Sequence, residues 1–394
     1  MKFRTFFLAM LAATPLLSTE VQAQRPKPGI TGKDWGTTQR GEKVQLFTLT
    51  GKGGMVARIT NFGGVVVDLI VPDRRGRPVN VVLGYDDFPT YEQRGGVYSA
   101  LIGRFTNRLS LKFPVAGKIY EQPPPAPRPA VAGAPPPPPP RNYIQHGGPN
   151  GFQRRVWEAV MHDGPEPSLA LTIREADGTG GFPGNIVVTV TYTVKADNTL
   201  ALDYRGTTDK PTVMNLTNHF YFNLNGGVKN IDEQRLTLFS SRWQPFDANA
   251  MPTGVIAPVT GPYDFRKPVR MGDRLSLPDV FQVVGDGSRI SGYDTAFLTD
   301  GVVGQLRPAA RLDDPDTGIV MVTFTTQPGL ELYTDNIANV VQGRNGAKYG
   351  NHWAISLETQ RAPDTPNHPN FTSAEVTPDK PLHEVTEYRF SRLR

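Results

Sequence analysis

Apolar and polar side chains alternate with a period of two through the middle of the chain. Every second residue from Ile186 to Val194 is a large apolar one, and threonine occupies most of the positions between them. After a polar break at residues 195–198, the alternation resumes through Leu202 and Tyr204. A period of two is typical of a β-strand with one buried face, because successive side chains of a strand point to opposite sides. Residues 185–205 are therefore predicted to form a β-hairpin.

Similar strand patterns recur along most of the chain, separated by turns rich in glycine, proline and aspartate, whereas amphipathic helical patterns are scarce. Many short strands joined by such turns predict an all-β protein, a large sandwich of antiparallel sheets. The lack of a fixed repeat length in the sequence argues against a propeller or a solenoid. Further strand candidates are residues 44–50, 56–60, 65–71, 156–162, 170–175, 235–240, 318–325 and 384–393.

The composition limits the class of protein. The chain has 394 residues, of which 38% are hydrophobic, enough for one large domain or two ordinary ones. Its formal net charge is +5, with lysine and arginine scattered rather than clustered, which disfavours nucleic acid as a partner. It has no cysteine, which excludes disulfides, a thiolate nucleophile and cysteine-based zinc sites. We expect a monomer or a weak dimer.

The first 23 residues have the pattern of a Sec-type signal peptide. Lys2 and Arg4 give a positive start, residues 6–17 are apolar, and the small residues that end at Ala23 suit a signal peptidase. A buried helix or a membrane anchor is the weaker alternative, since the apolar run is too short to span a bilayer. Without a cysteine to carry a lipid, we expect no membrane anchor and a periplasmic or secreted protein. Residues 24–40 are expected to form a loose lead-in.

A proline-rich segment at residues 122–141 interrupts the strand patterns. Proline donates no backbone hydrogen bond, so this segment is expected to be an exposed loop in the polyproline II conformation. A domain boundary is the alternative, but residues 41–121 contain too little apolar surface to suggest an independent β domain. We therefore predict one domain over residues 41–394 that carries residues 122–141 as a loop insertion.

Two distant segments combine acid–base groups with amides, hydroxyls and aromatics. Residues 214–224, MNLTNHFYFNL, contain His219 and Tyr221, and residues 355–369, ISLETQRAPDTPNHP, contain Glu358. A lone histidine or glutamate is more often structural, but such surroundings are typical of a site that holds a polyhydroxylated ligand and moves protons.

Other candidates are weaker when taken singly. Asn107 and Arg108 taken alone are better explained by a surface strand, and His146, before two glycines, is as easily explained by an ordinary turn. Asp294 and Gln327 border apolar runs, where a structural hydrogen bond is the commoner role. Residues 177–184 lack the alternating ligands and the final glutamate of a calcium loop, so no metal site is predicted there.

Taken together and in order, these segments resemble the motifs of the aldose 1-epimerase (galactose mutarotase) family, and the resemblance covers nearly the whole chain after the lead-in. It implies a galactose mutarotase-like supersandwich, a monosaccharide substrate, no metal and no organic cofactor. The shared motifs are G-R-x-x-N-R, H-G-G, N-L-T-N-H-x-Y-F-N-L, G-x-D, Q-P-G-x-x-x-Y-T-x-N and L-E-T-Q-x-x-P-D-x-x-N-H-P.

The resemblance also implies roles for individual residues. Glu358 is expected to take the proton of the C1 hydroxyl, and His219 to protonate the ring oxygen. The ring then opens to the aldehyde, C1 rotates, and the reverse steps close the other anomer. Hydrogen bonds to the sugar are expected from Asn107, Arg108, His146, Tyr221, Asp294 and Gln327.

Two departures from the family pattern bear on the preferred sugar: Thr295 follows Asp294 where the family often has histidine, and the proline-rich insertion ends close to His146. Glucose, galactose, xylose and arabinose all remain open as substrates. A glycosidase would need two catalytic carboxylates and a hexose 6-phosphate epimerase extra basic residues. A non-catalytic sugar-binding protein would not need both His219 and Glu358, so the pair favours an enzyme.

Overall fold

The computed structural model describes residues 27–94, 96–126, 141–247, 250–283 and 288–393. The predicted signal peptide, and residues 127–140 of the proline-rich insertion, lie outside these ranges. The described strands pair antiparallel in three larger sheets and several two-stranded ribbons. This architecture confirms the predicted all-β sandwich.

The largest sheet has nine strands, and the predicted hairpin lies within it as the neighbouring strands Ile186–Val194 and Thr199–Thr208. The most C-terminal strand, Leu382–Arg392, lies in the middle of this sheet rather than at an edge, between Thr199–Thr208 and Ile319–Thr325. The strands follow in the order Glu158–His162, Ser168–Glu175, Ile186–Val194, Thr199–Thr208, Leu382–Arg392, Ile319–Thr325, Arg307–Asp313, Arg235–Leu238 and Val269–Arg270.

A second sheet is built from the N-terminal part of the described chain, in sequence order Gly29–Thr37, Lys43–Thr50, Val56–Thr60, Val66–Pro72 and Pro78–Asn80. Its first strand corrects the prediction that residues 24–40 form a loose lead-in. Gly29–Thr37 pairs with Lys43–Thr50 along its whole length, with one irregularity after Asp34. As an edge strand it has mostly partly buried or exposed residues, so its sequence shows no buried apolar face.

The third sheet, which we call the site sheet, has five strands in the order Ala257–Pro258, Arg242–Gln244, Asp294–Leu298, Gly329–Tyr333 and Ser356–Gln360. The last strand is buried at all five positions, and the strand before it at four of five. Residues on these two strands therefore face packed protein on both sides of the sheet, whereas the hairpin has only one fully buried face. Polar side chains on this sheet are consequently held in a water-poor environment.

The remaining elements are short. One α-helix, Phe88–Arg94, lies among the described residues, and none of the described helices is long and apolar enough to cross a membrane. The 3₁₀ turns are Gly148–Asn150, Phe152–Arg154, Thr179–Gly181, Gly261–Tyr263, Met271–Asp273, Arg344–Gly346 and Thr365–Asn367. The two-stranded ribbons pair Arg108–Ser110 with Tyr143–Gln145, Leu101–Ile102 with Thr217–Asn218, Lys112–Val115 with Lys118–Glu121, Thr212–Val213 with Glu375–Val376, Phe281–Val283 with Arg289–Ser291, and Val341–Gln342 with Lys348–Tyr349.

The main hydrophobic core joins the three sheets. In the strand Ile186–Val194, buried and partly buried residues alternate at every position, as the period of two predicts. Its buried face, with Val188 and Val190, packs in one cluster with Leu202 of the next strand and Leu357 of the site sheet. Burial of each such side chain stabilises the fold by about 1.5–3 kcal/mol, so this core gives the site sheet a rigid backing.

Candidate active site

Three neighbouring strands of the site sheet bring carboxyl groups together. The strand register places Glu331 directly opposite Glu358, and both are almost fully buried, at 0% and 1% exposure. Ala296 is the residue opposite Glu331 on its other side, and Asp294 precedes Ala296 by two positions on the same strand. Residues two positions apart on a strand share a face, so all three carboxyl groups lie on one face of the sheet.

His219 approaches this face from the strand Thr217–Asn218. Its backbone N–H donates to the Ala100 carbonyl at 2.9 Å, which fixes the chain beside the site. Its ring nitrogen Nε2 lies 3.3 Å from Oε1 of Glu358, and Nδ1 lies 3.2 Å from the Ser356 hydroxyl. The two residues that the sequence singled out are therefore in direct contact.

Asn218 ties this histidine to the nine-stranded sheet. The Tyr204 hydroxyl donates to Oδ1 of Asn218 at 2.7 Å, and Nδ2 of Asn218 donates to the Tyr388 hydroxyl at 2.6 Å. Both tyrosines are almost fully buried and come from adjacent strands of that sheet. The position of His219 thus depends on the packed core beneath it.

Burial acts in opposite directions on the two members of the pair. It lowers the pKa of His219 well below its ordinary value, and the neighbouring His146 lowers it further. It raises the pKa of Glu358, as does Asp294, while Arg108 opposes that rise. Each group alone resists carrying charge, but the two together are neutral both as imidazolium–carboxylate and as imidazole–carboxylic acid. The pair can therefore hold one proton in either of two places.

Arg108 and Asp294 form a buried ion pair beside the carboxyl groups. Nη2 of Arg108 donates to Oδ2 of Asp294 at 2.6 Å, and Nη1 donates to the Asn107 side chain at 3.0 Å. The same Asp294 oxygen accepts a hydrogen bond of 2.7 Å from Gln282. The guanidinium lies 5.0 Å from the ring centre of Phe246. These contacts hold three predicted polar residues in fixed directions.

His146 faces the edge of the His219 ring, with the ring centres 5.4 Å apart. Its Nδ1 accepts a hydrogen bond of 3.3 Å from the Asn107 backbone N–H, which leaves Nε2 to carry the proton. Dense packing around the ring, followed by the charge of Arg108, lowers the pKa of His146 to about 3. A neutral imidazole in this place can donate a hydrogen bond but adds no positive charge.

Tyr221 forms the floor beneath His219. Their rings stack at 5.0 Å with an angle of 13° between the planes, and Tyr98 stacks on the other side of Tyr221 at 4.0 Å. Tyr333 packs edge-on against His219 at 5.7 Å. The aromatic run seen in the sequence therefore orients the imidazole.

Gln327 is placed apart from this cluster. It precedes Gly329 at the end of the strand opposite to Tyr333, and its side chain donates to the Leu216 carbonyl at 3.3 Å and accepts from Arg361 at 3.1 Å. Both ends of its side-chain amide are therefore engaged with other residues of the protein. Thr295 points to the opposite face of its strand from Asp294, since neighbouring residues alternate.

The sequence reasoning missed Glu331. In the run LELY, at residues 330–333, a charged residue between two leucines has the pattern of a solvent-facing strand position. The structure instead buries both faces of this strand. Only the burial of the neighbouring strands, which the sequence does not display, distinguishes Glu331 from an ordinary surface glutamate.

A cavity of about 130 Å³ borders the Arg108–Asp294 pair. Its wall includes the aromatic side chains of Trp243, Phe246 and Phe281. Apolar walls beside a few oriented polar groups are typical of small-molecule sites. The cavity therefore lies beside the Arg108–Asp294 pair, and His219 and Glu358 are not among the residues that line it.

Comparison with known proteins gives a consistent result. The model of the aldose 1-epimerase family matches residues 45–389. Galactose mutarotase of Mus musculus is 33% identical over 338 residues, which cover 84% of this chain and 90% of the mouse protein. Aldose 1-epimerase of Escherichia coli K12 is 29% identical over 354 residues, 89% of this chain and 96% of that protein.

Solved structures agree in fold. An aldose epimerase homologue from C. elegans superposes with a TM-score of 0.75 at 27% identity, covering 88% of this chain and 98% of its own. Galactose 1-epimerase from Lactobacillus acidophilus gives a TM-score of 0.76 at 21% identity, over 93% and 100% of the two chains. The matched residues include every strand of the site sheet, and on this evidence the chain belongs to the aldose 1-epimerase family.

Proposed function

We propose that this protein is an aldose 1-epimerase that interconverts the α and β anomers of free aldoses, with Glu358 as the base and His219 as the acid. The observation that carries the residue assignment is the 3.3 Å contact between Nε2 of His219 and Oε1 of Glu358 inside a buried polar site. Related proteins with these names support the reaction class.

One proton shared between His219 and Glu358 is enough for the whole reaction cycle. The reaction starts from imidazolium and carboxylate: Glu358 takes the proton of the C1 hydroxyl while His219 gives its proton to the ring oxygen, and the bond between C1 and that oxygen breaks. The pair is then imidazole and carboxylic acid. After rotation of C1, both transfers reverse and the ring closes on the other face. No proton is gained or lost, and each positioned group is typically worth about 10²–10⁴-fold in rate.

The surrounding residues suit the recognition of sugar hydroxyls. Asp294 and the Arg108 guanidinium offer an acceptor and donors that are already fixed by their ion pair. His146 offers a neutral donor next to His219. We assign sugar contacts to these three residues and to Asn107, while Tyr221 positions the imidazole. Gln327 keeps the structural role that its contacts indicate.

The test is polarimetry on freshly dissolved α-glucose, α-galactose, α-xylose and α-arabinose. We expect the wild-type protein to speed the approach to anomeric equilibrium, and Glu358→Gln to lower kcat at least about 10²-fold. Glu158→Gln, an exposed carboxylate at the edge of the nine-stranded sheet, is the matched control and should retain full activity. A wild-type protein that binds sugar without speeding mutarotation is a binding protein and refutes the proposal.

We also propose that residues 1–23 are a signal peptide, that the mature protein begins near Gln24 in the periplasm or medium, and that it is a monomer or weak dimer without an anchor. The support is the pattern of positive, apolar and small residues before Gln24. Mass spectrometry of protein from the native host, with light scattering for its oligomeric state, tests this. An intact Met1 on a cytosolic product would refute export.

A further inference from the structure

Glu331 is a buried carboxyl group in the middle of the site for which the acid–base pair has no use. It is 0% exposed, and it lies on the strand between those that carry Asp294 and Glu358. Directly opposed residues in an antiparallel pair have Cβ atoms about 4.5–5.5 Å apart, so the Glu331 and Glu358 carboxyl groups are close neighbours. Two negative charges at this separation in a buried site repel strongly.

The charged groups that act on Glu331 are few. From the strands on either side these are Asp294 and Glu358, and from the strand Arg108–Ser110 it is the cation Arg108. Arg108 already donates to Asp294 at 2.6 Å. Three ionised carboxylates would therefore face at most two cations, this guanidinium and the His219 imidazolium 3.3 Å from Glu358, which leaves one buried negative charge in excess.

The hydrogen bonds of this face lead to the same conclusion. Within the described ranges, Oε1 of Glu331 and Oε2 of Glu358 are buried and accept no hydrogen bond. The same is true of Oε1 of Gln360 and Oε1 of Gln244. Asp294 is the diagonal neighbour of Glu331 on the same face, a spacing that long side chains can bridge, and a hydrogen bond between two carboxyl groups needs a proton on one of them. Asp294 is held by Arg108 and Gln282, so Glu331 is the one left to carry it.

We propose that Glu331 is protonated in the resting enzyme and acts as a positioning residue, donating to Asp294 so that Glu358 can ionise beside it without a second negative charge. Burial, Asp294 and Glu358 all raise the pKa of Glu331, in that order, which agrees with the geometry. The inference rests on the proposed function for its catalytic consequence, while the presence of the proton does not depend on activity.

Glutamine is the natural isostere of a protonated glutamate. In Glu331→Gln the amide N–H can donate to Asp294, and the amide oxygen can accept the 3.4 Å hydrogen bond that Gln360 now gives to Oε2 of Glu331. We expect this variant to keep kcat within about threefold of wild type, and Glu331→Ala to lose about tenfold or more. A loss of 10²-fold or more in Glu331→Gln, like that expected for Glu358→Gln, would instead make Glu331 an ionised base.

Infrared spectroscopy reads the proton directly. At neutral pH we expect the wild-type protein to show the carbonyl absorption of protonated carboxyl groups, Asp335 among them, and Glu331→Gln to lose the part that Glu331 contributes. Glu387→Gln is the matched control: burial tends to raise the pKa of Glu387, but hydrogen bonds from Lys195 and Arg389 prevail and lower it. It should leave the absorption unchanged. No difference between wild type and Glu331→Gln would overturn the proposal.

Stability gives a second, independent reading. A carboxyl group with a raised pKa in the folded state holds a proton that the unfolded chain has lost, so wild-type stability falls as pH rises above about 4.3. Glu331→Gln lacks this loss, so its Tm should exceed that of wild type by a margin that grows with pH. A Tm difference that does not change with pH would overturn the proposal. So would an infrared carbonyl absorption that depends on added Na⁺ or Ca²⁺, since a bound cation would then neutralise the carboxyl groups. An inactive wild type with the absorption present would refute the function and leave the proton assignment standing.

Discussion

The hairpin of Ile186–Val194 with Thr199–Thr208 and the strand pair of Gly329–Tyr333 with Ser356–Gln360 are built alike and differ in what they bury. Both are antiparallel pairs with a regular register inside a larger sheet. The hairpin buries valine, leucine and tyrosine, and the threonines of its first strand are partly buried. The site pair buries Glu331 and Glu358 opposite each other. The hairpin stabilises the fold by burying apolar side chains. The site pair is less favourable for stability, because it buries carboxyl groups that would be better solvated in water.

The largest expected effect lies in the site. His219→Asn should lower kcat by about 10²–10⁴-fold, since it removes the proton donor to the ring oxygen. Its free energy of unfolding at pH 7 should change by less than about 1 kcal/mol, because no large apolar group is lost. Polarimetry and denaturant unfolding measure the two quantities. Near wild-type turnover would defeat the role of His219, and a collapse of stability would mean that the site also supports the fold.

The reverse outcome is expected in the hairpin. Leu202 is fully buried in the main core, so Leu202→Ala should lower the free energy of unfolding by about 2–5 kcal/mol and leave kcat unchanged below the unfolding transition. Arg205→Ala, on the outer face of the same strand, is the control and should cost less than about 0.5 kcal/mol. A fall in kcat in folded Leu202→Ala would show that the two regions are coupled.

A smaller effect is expected for Asp294, which should contribute to sugar binding rather than to the proton transfers. Asp294→Ala should raise KM about tenfold with kcat changed less, because a contact to a sugar hydroxyl contributes to ground and transition states alike. It also leaves the buried Arg108 without its ion-pair partner, so some loss of Tm is expected. Steady-state kinetics over several sugars decides the point. A loss confined to kcat would place Asp294 in the proton transfers.

A further expected effect is a pH dependence of stability. Burial raises the pKa of Asp335 to about 8, an effect partly offset by the Tyr98 hydroxyl, which belongs to the stack under His219. The folded state therefore keeps a proton that the unfolded chain loses near pH 4, and stability falls as pH rises from about 4 to about 8. Asp335→Asn should raise Tm at pH 8 and have little effect at pH 4. Parallel melting curves for the two proteins would contradict this.

The same contrast explains how much of the molecule can be read from its sequence. The hairpin is predictable because one water-facing side and one buried side leave a period of two in the residues themselves. Gly29–Thr37 has no such buried face, and only its pairing with Lys43–Thr50 makes it a strand. His219 and Glu358 are recognisable from the motifs around them.

Other residues of the site depend on contacts that no motif encodes. Gln327 has the motif context of a sugar contact, yet its side chain is engaged with Leu216 and Arg361. Glu331 has the context of a surface residue, yet both faces of its strand are buried. Burial on two sides is a property of the assembled sheets, and this is why sequence patterns single out His219 and Glu358, which lie in contact, but not the residues that surround them.

The central place of Leu382–Arg392 in the nine-stranded sheet has a consequence for biosynthesis. Until that segment leaves the ribosome, Thr199–Thr208 and Ile319–Thr325 each have an edge with free backbone hydrogen-bonding groups. Once Ile319–Thr325 has been made, the sheet stays in two halves until Leu382–Arg392 follows, and a nascent chain in this condition can pair with other chains. We expect the late joining of this strand to be the step at which chaperones matter most, and newly made protein to gain activity only once synthesis has passed Arg392.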